Sequence, residues 1–336
     1  MGKLVKEEDV AERVLNWGLL STANINRAVI TPLNVSKRSR LAAVASRSQD
    51  TADKYAHEWK IPRAFGSYDE LLQDPEIDVI YNSLPNHMHA EWTIRALKAG
   101  KHVLCEKPLA LRLDEVDAII SAAAETGKVV AEAFMYRHHP QTLKVKEMAE
   151  SGILGRLQMI KGAFTFVLNR QGDIRWKKET GGGSIWDVGC YPLSYARMLV
   201  GLEPLEVFGR QLLGSGGADA SFVGQLRFPN AIFAQFDCGF ESPSRSFMEI
   251  VGAEGVLNVP TPFKPRLAEK ILLQRGEKTE EIKIKGQELY IGEVEDMADA
   301  ILAGKPPRVS LTDSRGTVAT ILGLIQSAET GKPVML

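Results

Sequence analysis

The stretch GKHVLCEKPLAL, Gly100–Leu111, joins a short apolar strand to a charged turn. The strand, His102–Cys105, has a Val-Leu centre and follows a helix that we expect to stop at Gly100. The turn, Glu106–Pro108, ends in a proline, which fixes its own backbone φ and removes a hydrogen-bond donor. Lys107 therefore stands where a core strand ends, on a backbone stiffened by the residue after it.

Similar strands alternate with helical segments along the first part of the chain. The predicted strands are Leu15–Leu20, Leu41–Ala45, Ile77–Tyr81, His102–Cys105 and Val129–Glu132, and the predicted helices are Ile25–Val35, Thr51–Trp59, His87–Ala99 and Leu113–Thr126. Short apolar strands separated by helices are typical of a parallel sheet covered on both faces. We therefore predict an α/β protein whose N-terminal Rossmann domain, a doubly wound parallel sheet, spans residues 12–133.

The pattern changes after about Pro140, where longer alternating strands begin. They are predicted at Arg156–Leu168, Leu205–Leu213, Asp219–Phe228, Ala231–Phe240 and Ser246–Val251, with helices at Gln141–Ser151, Gly292–Ala303 and Ser314–Thr330. Pro229 and Asn230 alone separate two of these strands, which is typical of a β-hairpin. Residues 134–336 are therefore predicted to form a C-terminal α+β domain with a large, mainly antiparallel open sheet.

Composition excludes several classes of protein. The 336 residues carry a net charge of −1 with no basic block, which argues against nucleic acid as a partner. No apolar run approaches the roughly 18 residues of a membrane span. The chain shows no export signal, and its three distant cysteines, Cys105, Cys190 and Cys238, are typical of reduced thiols. We expect a cytoplasmic protein.

Metal and serine-hydrolase sites are not indicated. The pairs His87/His89 and His138/His139 lack the i, i+4 spacing of a helical zinc site, and no suitably spaced acid or cysteine accompanies them. No G-x-S-x-G motif is present either.

Two strand ends suggest a dinucleotide cofactor. After the first strand, a degraded glycine turn could place a phosphate on the next helix, although an ordinary strand-to-helix turn is an equal alternative; its candidate residues are Gly18, Ser21, Thr22, Ala23 and Ile25. The second strand ends in Ser46-Arg47-Ser48, with no acid before Asp50. Because a guanidinium pairs with a 2′-phosphate, Arg47 predicts NADP as the cofactor. A solvated loop arginine is the alternative.

Several motifs, in this order, resemble those of the Gfo/Idh/MocA family (glucose–fructose oxidoreductase, inositol dehydrogenase, rhizopine catabolism). They are Ser83-Leu84-Pro85-Asn86 with His89, Glu106-Lys107-Pro108, Glu132–Pro140, Gly182-Gly183-Ser184 and Trp186–Tyr191. The resemblance covers nearly the whole chain. It is strongest with the branch of NADP-dependent D-xylose dehydrogenases and dimeric dihydrodiol dehydrogenases.

The resemblance implies roles for individual residues. Lys107 would sit beside the nicotinamide and the reacting hydroxyl, Tyr191 would give or take the proton, and Asp187 would orient it. Asp187 and Tyr191 share a face if their segment opens a helix. A phenol has an ordinary pKa near 10, so a neighbouring ammonium would help it to ionise. A buried tyrosine packed on Trp186 is the alternative.

Further residues would line the cofactor or the substrate. The cofactor contacts implied are Ser83, Leu84, Pro85, Asn86, His89, Glu106, Lys107, Pro108, Arg137, Arg175 and Trp176, in addition to the residues of the two strand ends. The substrate contacts implied are Lys107, His138, Phe166, Trp176, Asp187 and Tyr191. Phe166 could equally be produced by an amphipathic strand with no ligand.

Together these features predict an NADP-dependent oxidoreductase that moves hydride between the C1 hydroxyl of an aldose such as D-xylose or D-glucose and the nicotinamide. Alternatives are a trans-dihydrodiol dehydrogenase, an enzyme that holds NADP permanently and shuttles hydride between two sugars, and a non-catalytic NADP(H)-binding regulator. Exposed Val and Phe side chains on one face of the second sheet predict a homodimer or a dimer of dimers through that sheet.

Overall fold

Six parallel strands form the sheet of the first unit. They are β1 (Leu15–Leu20), β2 (Ser39–Ala45), β3 (Arg63–Phe65), β4 (Val79–Asn82), β5 (His102–Glu106) and β6 (Val130–Ala133). The computed structural model describes residues 13–170 and 172–336, and in it these strands lie in the order β3-β2-β1-β4-β5-β6. From β1 the chain adds β2 and β3 on one side and then β4, β5 and β6 on the other, so a topological switch point lies between β1 and β4. The predicted doubly wound parallel sheet is confirmed.

Helices connect these strands. They are α1 (Asn26–Val35), α2 (Gln49–Trp59), α3 (Tyr68–Gln73), α4 (His89–Lys98) and α5 (Leu113–Thr126). Sequence analysis missed β3 and α3, because three half-buried residues at the sheet edge and a six-residue helix carry too little periodicity. The serine that precedes α3, Ser67, accepts the N–H of Glu70 at 3.2 Å and so caps that short helix.

The second unit contains a nine-stranded sheet among the described residues. Its strands are β7 (Leu157–Val167), β8 (Glu206–Leu213), β9 (Asp219–Arg227), β10 (Phe233–Gly239), β11 (Glu241–Gly252), β12 (Val256–Val259), β13 (Ala268–Arg275), β14 (Lys278–Lys285) and β15 (Val334–Met335). The order is β14-β13-β12-β11-β7-β10-β9-β8-β15, and every pairing is antiparallel except β7 with β10. The predicted mainly antiparallel sheet is confirmed, although the sequence analysis did not predict β12, β13, β14 and β15.

The β9–β10 hairpin separates a buried face from an exposed one. Phe222 and Phe236, on the buried face, stack with ring centroids 6.5 Å apart. Val223 and Phe233 point the other way and are 51% and 44% exposed.

The remaining α-helices of the described residues are α6 (Pro140–Glu150), α7 (Cys190–Val200), α8 (Ile291–Ala303) and α9 (Leu311–Thr330). None of the described helices is both long and apolar enough to cross a membrane.

The division into units is not a single cut along the chain. The first unit takes in the described residues up to Ala110, then Asp114–His138 and Tyr290–Ser314, and the second takes in Leu111–Leu113, His139–Leu289 and Arg315–Leu336. Sequence analysis proposed two continuous segments, 12–133 and 134–336; residue 12 lies outside the described residues. The main difference is Tyr290–Ser314, which contains α8 and belongs to the first unit although it lies far along the chain. Residues 134–138 also fall in the first unit, and Leu111–Leu113 fall in the second.

Packing and charge both attach α8 to the first unit. Its buried residues Val294 and Met297 belong to the same apolar cluster as Leu15 and Leu33. Arg38, which immediately precedes β2, forms ion pairs with Glu295 and Asp299 of α8. Such contacts between distant segments leave no local pattern that would reveal them in the sequence.

Candidate functional site

A buried polar triangle shapes the turn after β1. The Ser21 and Ser83 hydroxyl oxygens lie 2.9 Å apart, the Ser83 hydroxyl donates to Asn26 Oδ1 at 2.6 Å, and Asn26 Nδ2 donates to the Ser21 carbonyl at 2.8 Å. All three residues are at most 8% exposed. Ser21 has φ of 142°, a conformation that residues other than glycine rarely adopt. The triangle holds that conformation and ties the ends of β1 and β4 together.

This turn fits the phosphates of a dinucleotide. The residue preceding α1, Ile25, forms no side-chain cap, and the first turn of α1 contains no acidic residue. Helix N-termini carry partial positive charge and outward N–H groups, which favour phosphate. The predicted residues Ser21, Thr22, Ala23 and Ile25 thus meet at the switch point of the sheet. Gly18 instead lies within β1, where a β-carbon would come 2.9 Å from Leu71 Cδ1.

The end of β2, the neighbour of β1, presents a cation. Ser46 is buried, whereas Arg47 is exposed. The Ser48 hydroxyl caps α2 by accepting the N–H of Thr51 at 3.4 Å. The first acid after β2, Asp50, is exposed and paired with Lys54. This arrangement fits the 2′-phosphate of NADP, because a cation stands at the strand end where an acid would serve NAD.

The turn that carries Lys107 is held by buried side chains of neighbouring elements. The Glu106 carboxylate accepts the O–H of Tyr81, which is fully buried on β4, and also the N–H of Lys107 at 3.2 Å. Burial and the neighbouring Glu106 carboxylate raise the pKa of Tyr81 well above its usual value, so this phenol keeps its proton and stays a donor. On the far side, Leu109 N–H donates to Glu132 Oε1 at 2.9 Å.

His89 is a third buried side chain that contacts the turn carrying Lys107. Its Nδ1 lies 2.7 Å from the carbonyl oxygen of Pro108, and its Nε2 lies 2.6 Å from that of Leu84. Burial lowers the pKa of His89, although the two carbonyls oppose this shift. Carbonyl oxygens only accept, so the neutral ring, which carries one N–H, donates to one of the two carbonyls while its other nitrogen faces the second. Both nitrogens lie against these carbonyls, and the residue is 1% exposed. Its contact with the cofactor stays a prediction. Leu84 is buried beside it, while Pro85 and Asn86 are partly exposed.

Arg137 and His138 lie deep in the first unit. Arg137 is 6% exposed and forms an ion pair with Asp313 at 3.0 Å. Burial, with the nearby cations Arg308 and Arg137, lowers the pKa of His138 to about 3. A ring with that pKa is neutral near pH 7 and is a weak base there. The described residues contain no cluster of three or more His, Cys, Asp or Glu that would hold a metal ion.

In the second unit, Asp187 is paired with a cation. It lies in the π-helical turn Ile185–Gly189, and its Oδ2 is 2.9 Å from Arg175 Nε. Arg175 also contacts Asp173 at 3.2 Å, so one guanidinium joins two carboxylates. Arg175, predicted as a cofactor contact, is seen here as the partner of Asp187.

Aromatic residues surround the other predicted side chains of this unit. Tyr191, on the first turn of α7, is 7% exposed and meets Phe164 edge-on with ring centroids 5.4 Å apart. Phe166 and Trp176 both pack edge-on against the buried Phe240, at 5.4 and 5.3 Å. Tyr191 is therefore largely shielded from water, and Phe166 has a packing partner of its own.

A buried carboxylate anchors the segment that carries Asp187. Asp219, at the start of β9, accepts the hydroxyl of Ser184 at 2.5 Å and the N–H of Ile185 at 2.9 Å. Burial raises the pKa of Asp219 to about 6. Gly183 has φ of 119°, and a β-carbon there would lie 2.1 Å from Asp219 Oδ1. The glycine is therefore needed for the carboxylate to reach the helix start.

Sequence analysis missed Asn26, Tyr81, Glu132 and Asp219. Glu132 had a visible signal, because an acid interrupts an otherwise apolar core strand, Val130–Ala133. The roles of the other three depend on contacts made by folding and have no counterpart in spacing.

Asp219 predicts a pH-dependent stability. Its pKa is raised from 3.8 unfolded to about 6 folded, so it stabilises the fold below pH 3.8, and this contribution is lost as the pH rises through 6. Asp219→Asn removes the titration. We expect the wild type to lose about 2–3 kcal/mol of unfolding free energy relative to this variant between pH 4 and pH 7, as measured by urea unfolding. If the difference in unfolding free energy between the wild type and Asp219→Asn does not change with pH, the raised pKa of Asp219 is contradicted.

Comparison with known proteins identifies the family. Residues 15–134 match the model described as "Oxidoreductase family, NAD-binding Rossmann fold", and residues 142–258 match the model of the GFO/IDH/MocA C-terminal domain. The chain is similar to a D-xylose 1-dehydrogenase (NADP(+)) of Haloferax volcanii, with 34% identity over 95% of this chain and 99% of the relative. It is also similar to a trans-1,2-dihydrobenzene-1,2-diol dehydrogenase of Danio rerio, with 32% identity over 73% of this chain and 74% of the relative.

Solved structures agree. A 3-ketoreductase from Actinomadura kijaniata in complex with NADP and TDP-benzene superposes with a TM-score of 0.89 and 27% identity, covering 94% of this chain and 98% of that one. An aldose–aldose oxidoreductase from Caulobacter crescentus, at 24% identity, shares the fold with a TM-score of 0.90 over 96% of this chain and all of its own. The resemblance that the sequence motifs predicted is confirmed: the chain belongs to the Gfo/Idh/MocA oxidoreductase family.

Proposed function

We propose that this protein oxidises the C1 hydroxyl of an aldose such as D-xylose or D-glucose with NADP as the hydride acceptor. The observation that carries the proposal is the presence, in one chain, of the hydrogen-bonded turn that holds Lys107, of Asp187 in the turn Ile185–Gly189 and of Tyr191 on α7. The similarity to the Haloferax volcanii enzyme, whose name specifies both D-xylose and NADP(+), supports the substrate class and the cofactor.

The first unit would hold the cofactor with its own polar groups. The turn from Ser21 to Ile25 would bind the pyrophosphate, and Arg47 would pair with the 2′-phosphate. The bound nicotinamide supplies the hydride acceptor. Lys107, presented by its turn, would donate to the oxygen of the reacting hydroxyl and stabilise negative charge there.

The proton chemistry is assigned to the chain's own residues. Tyr191 would remove the hydroxyl proton while Lys107 favours the anionic form of the phenol, and the Asp187–Arg175 pair would orient the substrate. Solved variants of the Actinomadura ketoreductase substitute a lysine and a tyrosine with the same separation along the chain as Lys107 and Tyr191, which supports treating these two as a functional pair.

Oxidation of trans-dihydrodiols is the second candidate, because the Danio rerio relative is named for that reaction. A panel of aldoses, polyols and dihydrodiols assayed with NADP and NAD would separate the candidates. Turnover of aldoses with NADP supports the proposal, and turnover of dihydrodiols alone would replace it with the second candidate. Binding of NADPH without any turnover would point to a regulator, and non-dialysable NADP to hydride shuttling between two sugars.

We also propose a cytoplasmic homodimer, or a dimer of dimers, built through the exposed face of the second unit's sheet. Val223 and Phe233 on that face are about half exposed, and contact with a second copy would bury them.

The dimer proposal predicts the behaviour of a surface variant. Phe233→Glu places a charge in the proposed interface and should yield a monomer by light scattering at micromolar concentration. Val35→Glu changes an apolar residue that is 65% exposed at the end of α1, and should leave the assembly intact. A monomeric wild type would refute the dimer.

Cofactor choice depends on Arg47. Arg47→Asp should raise the KM for NADP about 10- to 100-fold and change that for NAD much less, since only NADP carries the phosphate that the guanidinium pairs with. Arg40→Asp, at the opposite end of β2, is the matched control and should leave both values near wild type. Equal kcat/KM for NADP and NAD in the wild type would overturn the assignment.

Lys107 and Tyr191 should act as one unit. Lys107→Ala and Tyr191→Phe should each lower kcat about 10²- to 10⁴-fold, and the double variant should lose little more, because the second change has little left to remove. Tyr195→Phe, one turn further along α7, is the matched control and should keep kcat. If the two losses simply multiply, or if Tyr191→Phe remains near wild type, the shared role is wrong.

A further inference from the structure

We propose that His89 is a positioning residue that holds the Lys107 turn in register with the loop Ser83–Asn86, and that it acts on catalysis only through Lys107. The proposal rests on the proposed function for its kinetic readout. Its structural readout, given below, is independent of turnover.

His89 connects two loops that follow neighbouring strands. Asn82 at the end of β4 pairs with Cys105 of β5, and the loops beyond these residues carry Leu84 and Pro108. The imidazole lies between the carbonyls of those two residues, with nitrogen–oxygen distances of 2.6 and 2.7 Å. One rigid ring therefore sets the separation of the two loops at the carboxyl edge of the sheet.

Asn82 fixes the backbone that carries the ring. His89 is the first residue of α4, and Asn82 Nδ2 donates to its backbone carbonyl at 3.1 Å. The same amide group donates to Thr93 Oγ1 at 3.1 Å, while Asn82 Oδ1 accepts Leu84 N–H at 3.3 Å. The Leu84 N–H is thus bound by Asn82, and its carbonyl lies against His89 Nε2. Because the neutral ring carries one N–H, we place it on Nδ1, where it donates to the Pro108 carbonyl. A histidine supported in this way has little freedom to move.

Lys107 lies one residue before one of these contacts. Tyr81 holds Glu106 on one side of Lys107, and His89 holds Pro108 on the other. Removing the ring would leave the Pro108 carbonyl without this partner and free the second half of the turn. A catalytic group displaced by about 1 Å loses on the order of 10²-fold in rate, so the effect should fall on kcat.

The test compares two leucine substitutions at buried or half-buried histidines. His89→Leu should lower kcat about 10- to 100-fold and raise the KM for NADP less than about threefold. His102→Leu is the matched control: His102 lies at the opposite end of β5, where its Nδ1 accepts Val129 N–H at 2.9 Å. It should affect stability and leave kcat unchanged. His89→Gln keeps an N–H donor on a side chain of similar length and should recover most of the lost kcat.

Two further readouts separate positioning from general damage. In a Lys107→Ala background, His89→Leu should lower kcat no further, because it acts through the missing lysine. In the cofactor-free protein, amide hydrogen exchange at Lys107 should accelerate at least about tenfold in His89→Leu and remain slow in His102→Leu, with the β5 amides unchanged in both.

Several results would overturn the proposal. They are an equal loss of kcat in His89→Leu on both backgrounds, a folded His89→Gln variant as impaired as His89→Leu, and unchanged exchange at Lys107. If His89→Leu does not fold, His89→Gln and its exchange pattern decide the question. If the wild type turns over no substrate of the panel, the proposed function fails, whereas faster exchange at Lys107 would still support the positioning role.

Discussion

The structure of the candidate site depends on how one charged turn is kept in place at the edge of a sheet. Glu106–Pro108 leaves β5 where ordinary loops are free to move, yet Tyr81, His89 and Glu132 each bind one of its polar groups or those of the adjoining Leu109. Buried polar groups must be hydrogen-bonded, so each contact both satisfies a buried side chain and restricts the turn. The three side chains come from β4, α4 and β6, and the strand order β4-β5-β6 is what brings them together.

The second unit also contains a buried acid that accepts a backbone N–H beside a candidate catalytic residue. A buried carboxylate, Asp219, accepts the N–H of Ile185 just ahead of Asp187, as Glu132 accepts the N–H of Leu109 just after the Lys107 turn. In each unit an acid that is removed from water binds the backbone beside a candidate catalytic residue. Burying the acid is unfavourable, as the raised pKa of Asp219 shows, but its hydrogen bonds fix the geometry of the segment that carries Asp187.

The sequence predicted the strands and helices better than the side chains that hydrogen-bond to the candidate site. Apolar strands between helices were enough to place β1, β2, β4, β5 and β6, and a two-residue separation was enough for the β9–β10 hairpin. Residues within motifs, such as Lys107 and Tyr191, could be named because a family resemblance carried them. Tyr81 and Asp219 could not, since each acts on a segment distant in sequence. For the same reason, the contacts of α8 with the first unit were not predicted.

A crystal structure with NADP bound tests whether the turn Glu106–Pro108 is built before the cofactor arrives. We expect the pyrophosphate on the turn from Ser21 to Ile25 and Lys107 Nζ within roughly 3–4 Å of the reacting groups at the nicotinamide. We also expect the contacts of Tyr81, His89 and Glu132 with the turn to be the same as in the cofactor-free protein. A cofactor bound elsewhere, or a turn that forms new contacts only on binding, would contradict these expectations.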